Sequence, residues 1–238
     1  MSYTPAEVSF LMDHHEEITS LDLALTKASR LKDAEVLKEK FGDFGRAVME
    51  LVTARNSGKL PRNWLMDADS AQQATPTGVA AYRMSFLAEQ GVRTVHDLTC
   101  SIGTEGYNCP LDYFGSDLDE SRVRMARYNL SSANIFRADA LTTTTTADVL
   151  LADPARRAGG KRITRPEVLV PPLPEVVDKH RGKELAIKCA PGLDFSEWDG
   201  LVTVASVDGG VKESCLYTPG LGTCLLYTSP SPRDRQKS

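Results

Sequence analysis

Four aspartates, Asp97, Asp117, Asp139 and Asp153, each stand at the carboxyl end of a short apolar run. An ionised carboxylate only accepts hydrogen bonds, and one carboxylate can take both vicinal hydroxyls of a ribose. That chemistry suits Asp117, which ends Tyr113-Phe114-Gly115-Ser116-Asp117. Asp97 opens a turn of small residues, Leu98-Thr99-Cys100-Ser101-Ile102-Gly103-Thr104-Glu105, where backbone can come close to a ligand. Asp139 tips Phe136-Arg137-Ala138-Asp139, and Asp153 leads into Pro154-Ala155-Arg156-Arg157. Any one of these acids would serve as a turn cap. Four of them at successive strand ends mark a ligand-binding edge. Two further clusters are weaker. Arg156, Arg157, Lys161, Arg162 and Arg165 surround Gly159-Gly160, the composition of a solvated loop that could also touch phosphates. His14-His15-Glu16-Glu17 are adjacent rather than four apart, so no metal site is expected there.

The elements that must position these acids follow from residue 94 onward. Apolar runs at 94–98, 111–116, 134–137, 148–152 and 185–188 alternate with polar turns and helical stretches, notably 120–130. This is the βαβ alternation of an open, mostly parallel sheet with helices on its faces. Between residues 104 and 110, Gly106 and Pro110 disfavour a helix, so the first crossover should be short or irregular. Runs at 201–207 and 211–217 are separated only by Asp208-Gly209-Gly210, a hairpin signal. The first ~90 residues read as helical. Thr4-Pro5-Ala6-Glu7 supplies a cap, a proline at the first position and an acid in the first turn. Leu21, Leu25, Ala28 and Leu31 form an apolar stripe, continued by Val36, Leu37, Phe41, Phe44, Val48, Leu51 and Val52. Thr75-Pro76 opens another helix that passes Val79, Tyr82, Phe86 and Leu87 and stops at Gly91.

Composition sets the outer bounds. The 238 residues carry 28 basic and 32 acidic side chains, net −4, with 41% hydrophobic and 25% charged residues. Those proportions exclude a disordered or collagen-like chain. A mildly acidic balance means that any nucleic-acid surface must be local. Five cysteines without paired spacing read as reduced thiols. The opening residues show no basic or apolar export signal, so a cytoplasmic location is expected. No apolar run approaches the ~18–20 residues of a membrane helix.

The four strand-end acids resemble motifs I to IV of class I S-adenosylmethionine-dependent methyltransferases, and the hairpin is similar to the reversed final strand of that fold. More narrowly, the chain resembles the bacterial methyltransferases that carry a C-terminal THUMP-like domain. That resemblance rests on Lys40-Phe41-Gly42, Gln72-Gln73-Ala74-Thr75-Pro76 with Val79-Ala80-Ala81, Asp153-Pro154-Ala155-Arg156-Arg157, Lys188-Cys189-Ala190-Pro191-Gly192 and Ser206-Val207-Asp208-Gly209, over roughly residues 30 to 222. It implies an α/β Rossmann-like class I methyltransferase sheet, mostly parallel with an antiparallel C-terminal hairpin, behind a helical N-terminal domain at 1–91, with the cofactor domain at 92–223. The implied cofactor is S-adenosyl-L-methionine. Asp97 and Gly103 would line its methionine portion, Asp117 its ribose and Asp139 its adenine amino group. Cys100 belongs to a loop variant similar to those of RNA methyltransferases. Asp153, Pro154 and Arg156 would border the substrate, expected to be RNA (a tRNA or rRNA base), with no metal and no membrane partner. Of the usual acid-x-Gly-x-Gly-x-Gly loop only Gly103 is kept; Thr99 and Ser101 hold the other glycine positions. The alternative is therefore a non-catalytic RNA-binding module with a degenerate cofactor loop. A nicotinamide dehydrogenase would need Gly-x-Gly-x-x-Gly after the first strand, and 97–106 does not contain it. Cys189 faintly resembles the nucleophile of RNA uracil-C5 methyltransferases, against the simpler reading of a buried thiol.

Residues 224–238, CLLYTSPSPRDRQKS, resemble a translated transposon-type sequencing adapter. They are expected to be a non-native or disordered tail, with the natural sequence stopping near Thr223 and the THUMP-like domain missing beyond it.

Overall fold

The structure, a computed structural model, describes residues 3–23, 25–154, 157–158, 161–162, 169–191, 195–222 and 227–229. The N-terminal helices are α1 (Pro5–Asp13), α2 (His15–Thr19), α3 (Arg30–Phe41), α4 (Gly45–Arg55), α5 (Ala68–Gln73) and α6 (Thr77–Glu89). The opening of α1 is the expected capping box, with Thr4 and Glu7 satisfying each other's backbone N–H groups. The stripe expected around residue 25 is not a helix. Leu21, Leu25 and Ala28 lie outside any helix, and Leu31 is 84% exposed on α3. The cause is local side-chain competition for backbone. Leu25 N–H donates to the Asp33 carboxylate, while Thr26 and Ser29 each accept the other's N–H, so helix begins only at Arg30.

The remaining elements are β1 (Thr94–Asp97), β2 (Asp112–Asp117), α7 (Glu120–Asn129), β3 (Asn134–Arg137), β4 (Val149–Ala152), β5 (Arg157–Ala158), β6 (Lys161–Arg162), α8 (Leu173–Lys179), β7 (Glu184–Cys189), β8 (Leu201–Val207), β9 (Gly210–Tyr217) and β10 (Tyr227–Ser229). Eight strands form one sheet in the order β10-β8-β9-β7-β4-β1-β2-β3. Every neighbouring pair is parallel except those of β9, which runs against β7 and β8. β8 and β9 turn through Asp208 and Gly209, with φ of 53° and 75°, the two positive values that a tight hairpin of matching twist requires. The β1–β2 connection contains only a short 3-10 turn, Thr104–Gly106, as Gly106 and Pro110 foretold. This is the α/β Rossmann-like sheet, mostly parallel with an antiparallel C-terminal hairpin, that the resemblance implied.

Alternation along the strands sends side chains to two layers. On β4, Val149 and Leu151 join a large core with the N-terminal helices, while Leu150 faces a smaller one with Leu173 of α8. The large core runs from Tyr3 through Leu51, Trp64 and Met84 to Val95 and Tyr217, so the N-terminal helices and the sheet share it. No helix among the described residues is long and apolar enough to cross a membrane.

Candidate functional site

Because β1 to β4 are parallel, their carboxyl ends meet at one edge, and there Asp97, Asp117, Asp139 and Asp153 line a single cleft of about 1380 Å³ with Cys100 and Pro154. Asp117 is 8% exposed; its Oδ2 accepts Ser101 N–H at 3.0 Å and its Oδ1 accepts Asp119 N–H at 2.9 Å. Each oxygen keeps acceptor capacity beyond these single bonds. Burial raises the pKa of this carboxyl. Asp139 is half-buried and fixes the turn after β3 by accepting Leu141 N–H at 2.8 Å. Cys100 is buried, its N–H bonds Ser116 O, and burial holds its thiol well above the ordinary range. Gly103 is not among the residues lining the cleft. Its φ is +91°, and a Cβ there would meet Leu130 Cδ1 at 2.6 Å, so the glycine serves the turn and its packing against Leu130, just past α7. Arg156 lies outside the described residues, as do the side chains of the basic run around it.

Asp97 is 2% exposed and accepts Thr99 N–H at 3.1 Å and the Tyr113 hydroxyl at 3.0 Å. Burial, with help from Glu105, pushes its pKa from 3.8 to about 7. The folded state therefore holds a proton that the unfolded chain has released, and stability from this group falls as pH rises from about 4 to 7. Asp97→Asn should remove that slope, roughly 1.4 kcal/mol per pH unit inside the window. Urea unfolding of both proteins at several pH values reads it; parallel profiles would contradict the assignment.

Sequence reasoning missed the ionic network beneath the cleft. Arg83, on the buried stripe of α6, donates to Glu105 Oε1 and Oε2 at 2.6 and 2.5 Å and pairs with Glu213 of β9. Thr75 donates to the other Glu213 oxygen at 3.1 Å. Lys188 of β7 lies 3.1 Å from Glu105 and 2.7 Å from Asp153 Oδ2. Arg83, Glu105, Lys188 and Glu213 are each under 5% exposed as whole residues. Burial opposes ionisation of Glu105, but Arg83 and Lys188 overcome it and draw its pKa down to about 2. The signal was present: Arg83 interrupts the apolar spacing of Val79, Ala80, Met84 and Leu87, and Lys188 interrupts a buried strand. Thr99, at a position where glycine was expected, has its own task. Its hydroxyl accepts Asp153 N–H at 2.7 Å and ties the loop after β1 to the loop after β4. Thr99→Val should lose about 1 kcal/mol of stability; an unchanged urea midpoint would show that the bond contributes nothing. Even with Asp97 holding its proton, Glu105, Asp153 and Glu213 outnumber Arg83 and Lys188, which makes the cleft floor suited to a cationic ligand. Among the described residues no cluster fit to hold a metal ion occurs.

No family model matches the chain. Two curated relatives from Mycobacterium tuberculosis, strains CDC 1551 and H37Rv, are each named an uncharacterized S-adenosylmethionine-dependent methyltransferase and are 38% identical over 207 residues. The match covers 78% of this chain and 57% of each relative, so the chain spans little more than half their length. Among solved structures, magnesium protoporphyrin IX methyltransferase from Synechocystis PCC 6803 with bound S-adenosylmethionine is 10% identical with a TM-score of 0.47, over 78% of this chain and 95% of that one. In sequence the chain is similar to proteins named as S-adenosylmethionine-dependent methyltransferases, and its sheet has the class I arrangement.

Proposed function

We propose that this chain is an S-adenosylmethionine-dependent methyltransferase of the cytoplasm that modifies an RNA base. The observation that carries the reading is the convergence of Asp97, Asp117, Asp139 and Asp153 on one cleft at the carboxyl edge of the sheet. The residues fit the cofactor: an excess of carboxylates at the cleft, with the part-buried Asp153 beyond the balanced Glu105 and Glu213, suits a sulfonium and an α-amino group, and Asp117 keeps acceptor capacity for ribose hydroxyls. Asp139 would face the adenine amino group and Asp97 the methionine portion. When bound, the cofactor supplies a methyl group on a sulfur that is already a good leaving group. The chain's task is then to orient and desolvate the nucleophile. Asp153, held by Lys188 through its carboxylate and by Thr99 through its N–H, would hold a substrate amino group or steady a developing positive charge. Pro154 borders the same space.

The RNA part of the reading is supported by the resemblance to THUMP-like methyltransferases and not by bulk charge. Mass spectrometry of RNA nucleosides from cells with and without the full-length gene tests it. Loss of one methylated nucleoside is expected; identical profiles would remove RNA as the substrate. The same reading treats 1–91 and 92–223 as helical and cofactor domains, and 224–238 as a non-native or disordered tail. Genomic codons running past Thr223 into the same peptide would overturn that last point.

A further inference from the structure

Arg55 ends α4 and is 6% exposed. Its Nε donates to Trp64 O at 3.1 Å, one Nη donates to Thr19 Oγ1 at 3.1 Å, and the other lies 2.7 Å from His15 Nε2. Every one of these partners is neutral. Arg46, Arg83 and Arg124 all pair with glutamates, but among the described residues no carboxylate pairs with Arg55. A guanidinium does not escape burial by losing its proton, and a buried charge without a counter-charge costs several kcal/mol. The negative end of α4 offsets only part of that. Burial, with repulsion from Arg62, pulls the Arg55 pKa down to about 10. The His15 contact is itself unresolved: Nε2 also lies 2.8 Å from Asn63 O, and one ring nitrogen cannot accept from Arg55 and donate to Asn63 at once.

Arg55 lines a second cleft of about 470 Å³, together with Thr19, Asn56 and Arg62. Asn56 and Arg62 are exposed, and the one acid on the lining, Asp22, is exposed as well. A guanidinium has five N–H donors, and at most three of those of Arg55 are engaged. Ile18, Leu21, Leu23 and Val52 complete the lining, and two mutually repelling guanidinium groups on one such cleft have the chemistry of an oxyanion site. The cleft also touches Gly58, which lines the main cleft along with Lys59, so the two spaces adjoin.

We propose that the Arg55–Arg62 cleft binds a phosphate group. Its place beside the main cleft fits a backbone phosphate of a nucleic-acid strand whose target base enters the main cleft; this choice of source rests on the RNA reading above, whereas the anion site does not. A free phosphate or mononucleotide offers the same chemistry.

The full chain is titrated with a fluorescein-labelled 12-nucleotide single-stranded RNA, and separately with inorganic phosphate. Arg62→Gln is the main variant, because Arg62 is exposed and its loss spares the core. It is expected to weaken RNA binding about 5–10-fold and to lower the slope of log K against log salt by about one. Arg55→Met should weaken binding further, provided that its thermal melt shows a folded protein. If phosphate binds in an Arg62-dependent way and the RNA does not, the site stands and its source is a small molecule. If Arg62→Gln binds both probes as the wild type does, or if the wild type binds neither, the proposal is overturned. Titrating the same wild-type preparation with S-adenosylmethionine keeps the two readings apart, since Arg55 does not line the main cleft.

Discussion

Arg83→Met should cost about 3–5 kcal/mol of folding stability, the largest effect expected of any single substitution here. The guanidinium sits between Glu105 and Glu213, both wholly buried, and methionine replaces its stem but not its charge. Glu105 would retain Lys188, whereas Glu213 would lose its arginine and keep the neutral Thr75 hydroxyl. A buried carboxylate left in that state must either remain ionised at high cost or take up a proton. The double variant Arg83→Met, Glu213→Gln should recover part of the loss, because the stranded charge goes with the arginine. Urea unfolding of the two single variants and the double variant measures this cycle. A loss under 1 kcal/mol for Arg83→Met, or a double variant that is simply additive, would mean that the network is not a coupled unit.

Asp117→Ala should weaken S-adenosylmethionine binding by about 1–3 kcal/mol, which is about 5–150-fold in Kd. Two losses combine. The acceptor for ribose hydroxyls disappears, and the N–H groups of Ser101 and Asp119 lose the carboxylate that holds both sides of the cleft's rim. Calorimetric titration reads the effect, with a thermal melt to confirm that the variant is folded. An unchanged affinity would remove Asp117 from the cofactor site. Asp117→Asn separates the two losses, because the amide keeps one acceptor oxygen for the backbone.

The parts of the fold that were legible in the sequence are those written in local patterns. The strand-end acids, the Asp208-Gly209 turn and the Thr4–Glu7 cap each follow from a few adjacent residues, and each appears in place. The false stripe at Leu21, Leu25 and Leu31 had helical spacing as well. There the bonds of Thr26, Ser29 and Asp33 decide the backbone, and spacing alone does not reveal them. The Asp153 clamp was illegible for another reason. Thr99, Glu105, Lys188, Arg83 and Glu213 come from five separate elements, and only the sheet order brings them together. Thr99 shows how a departure from a motif can be misread. Scored as a missing glycine it weakens the cofactor loop, but in the structure its hydroxyl fastens that loop to the Asp153 segment. The charged residues on buried stripes, Arg83 and Lys188, were the one signal of the network within reach of sequence.

The most direct test of the central claim is a calorimetric titration of the purified wild-type chain with S-adenosylmethionine. Saturable binding at one site per chain, weakened by Asp117→Ala, is expected. No heat of binding up to millimolar cofactor, from a chain whose melt shows it folded, would contradict the methyltransferase reading and favour a non-catalytic module built on the same sheet.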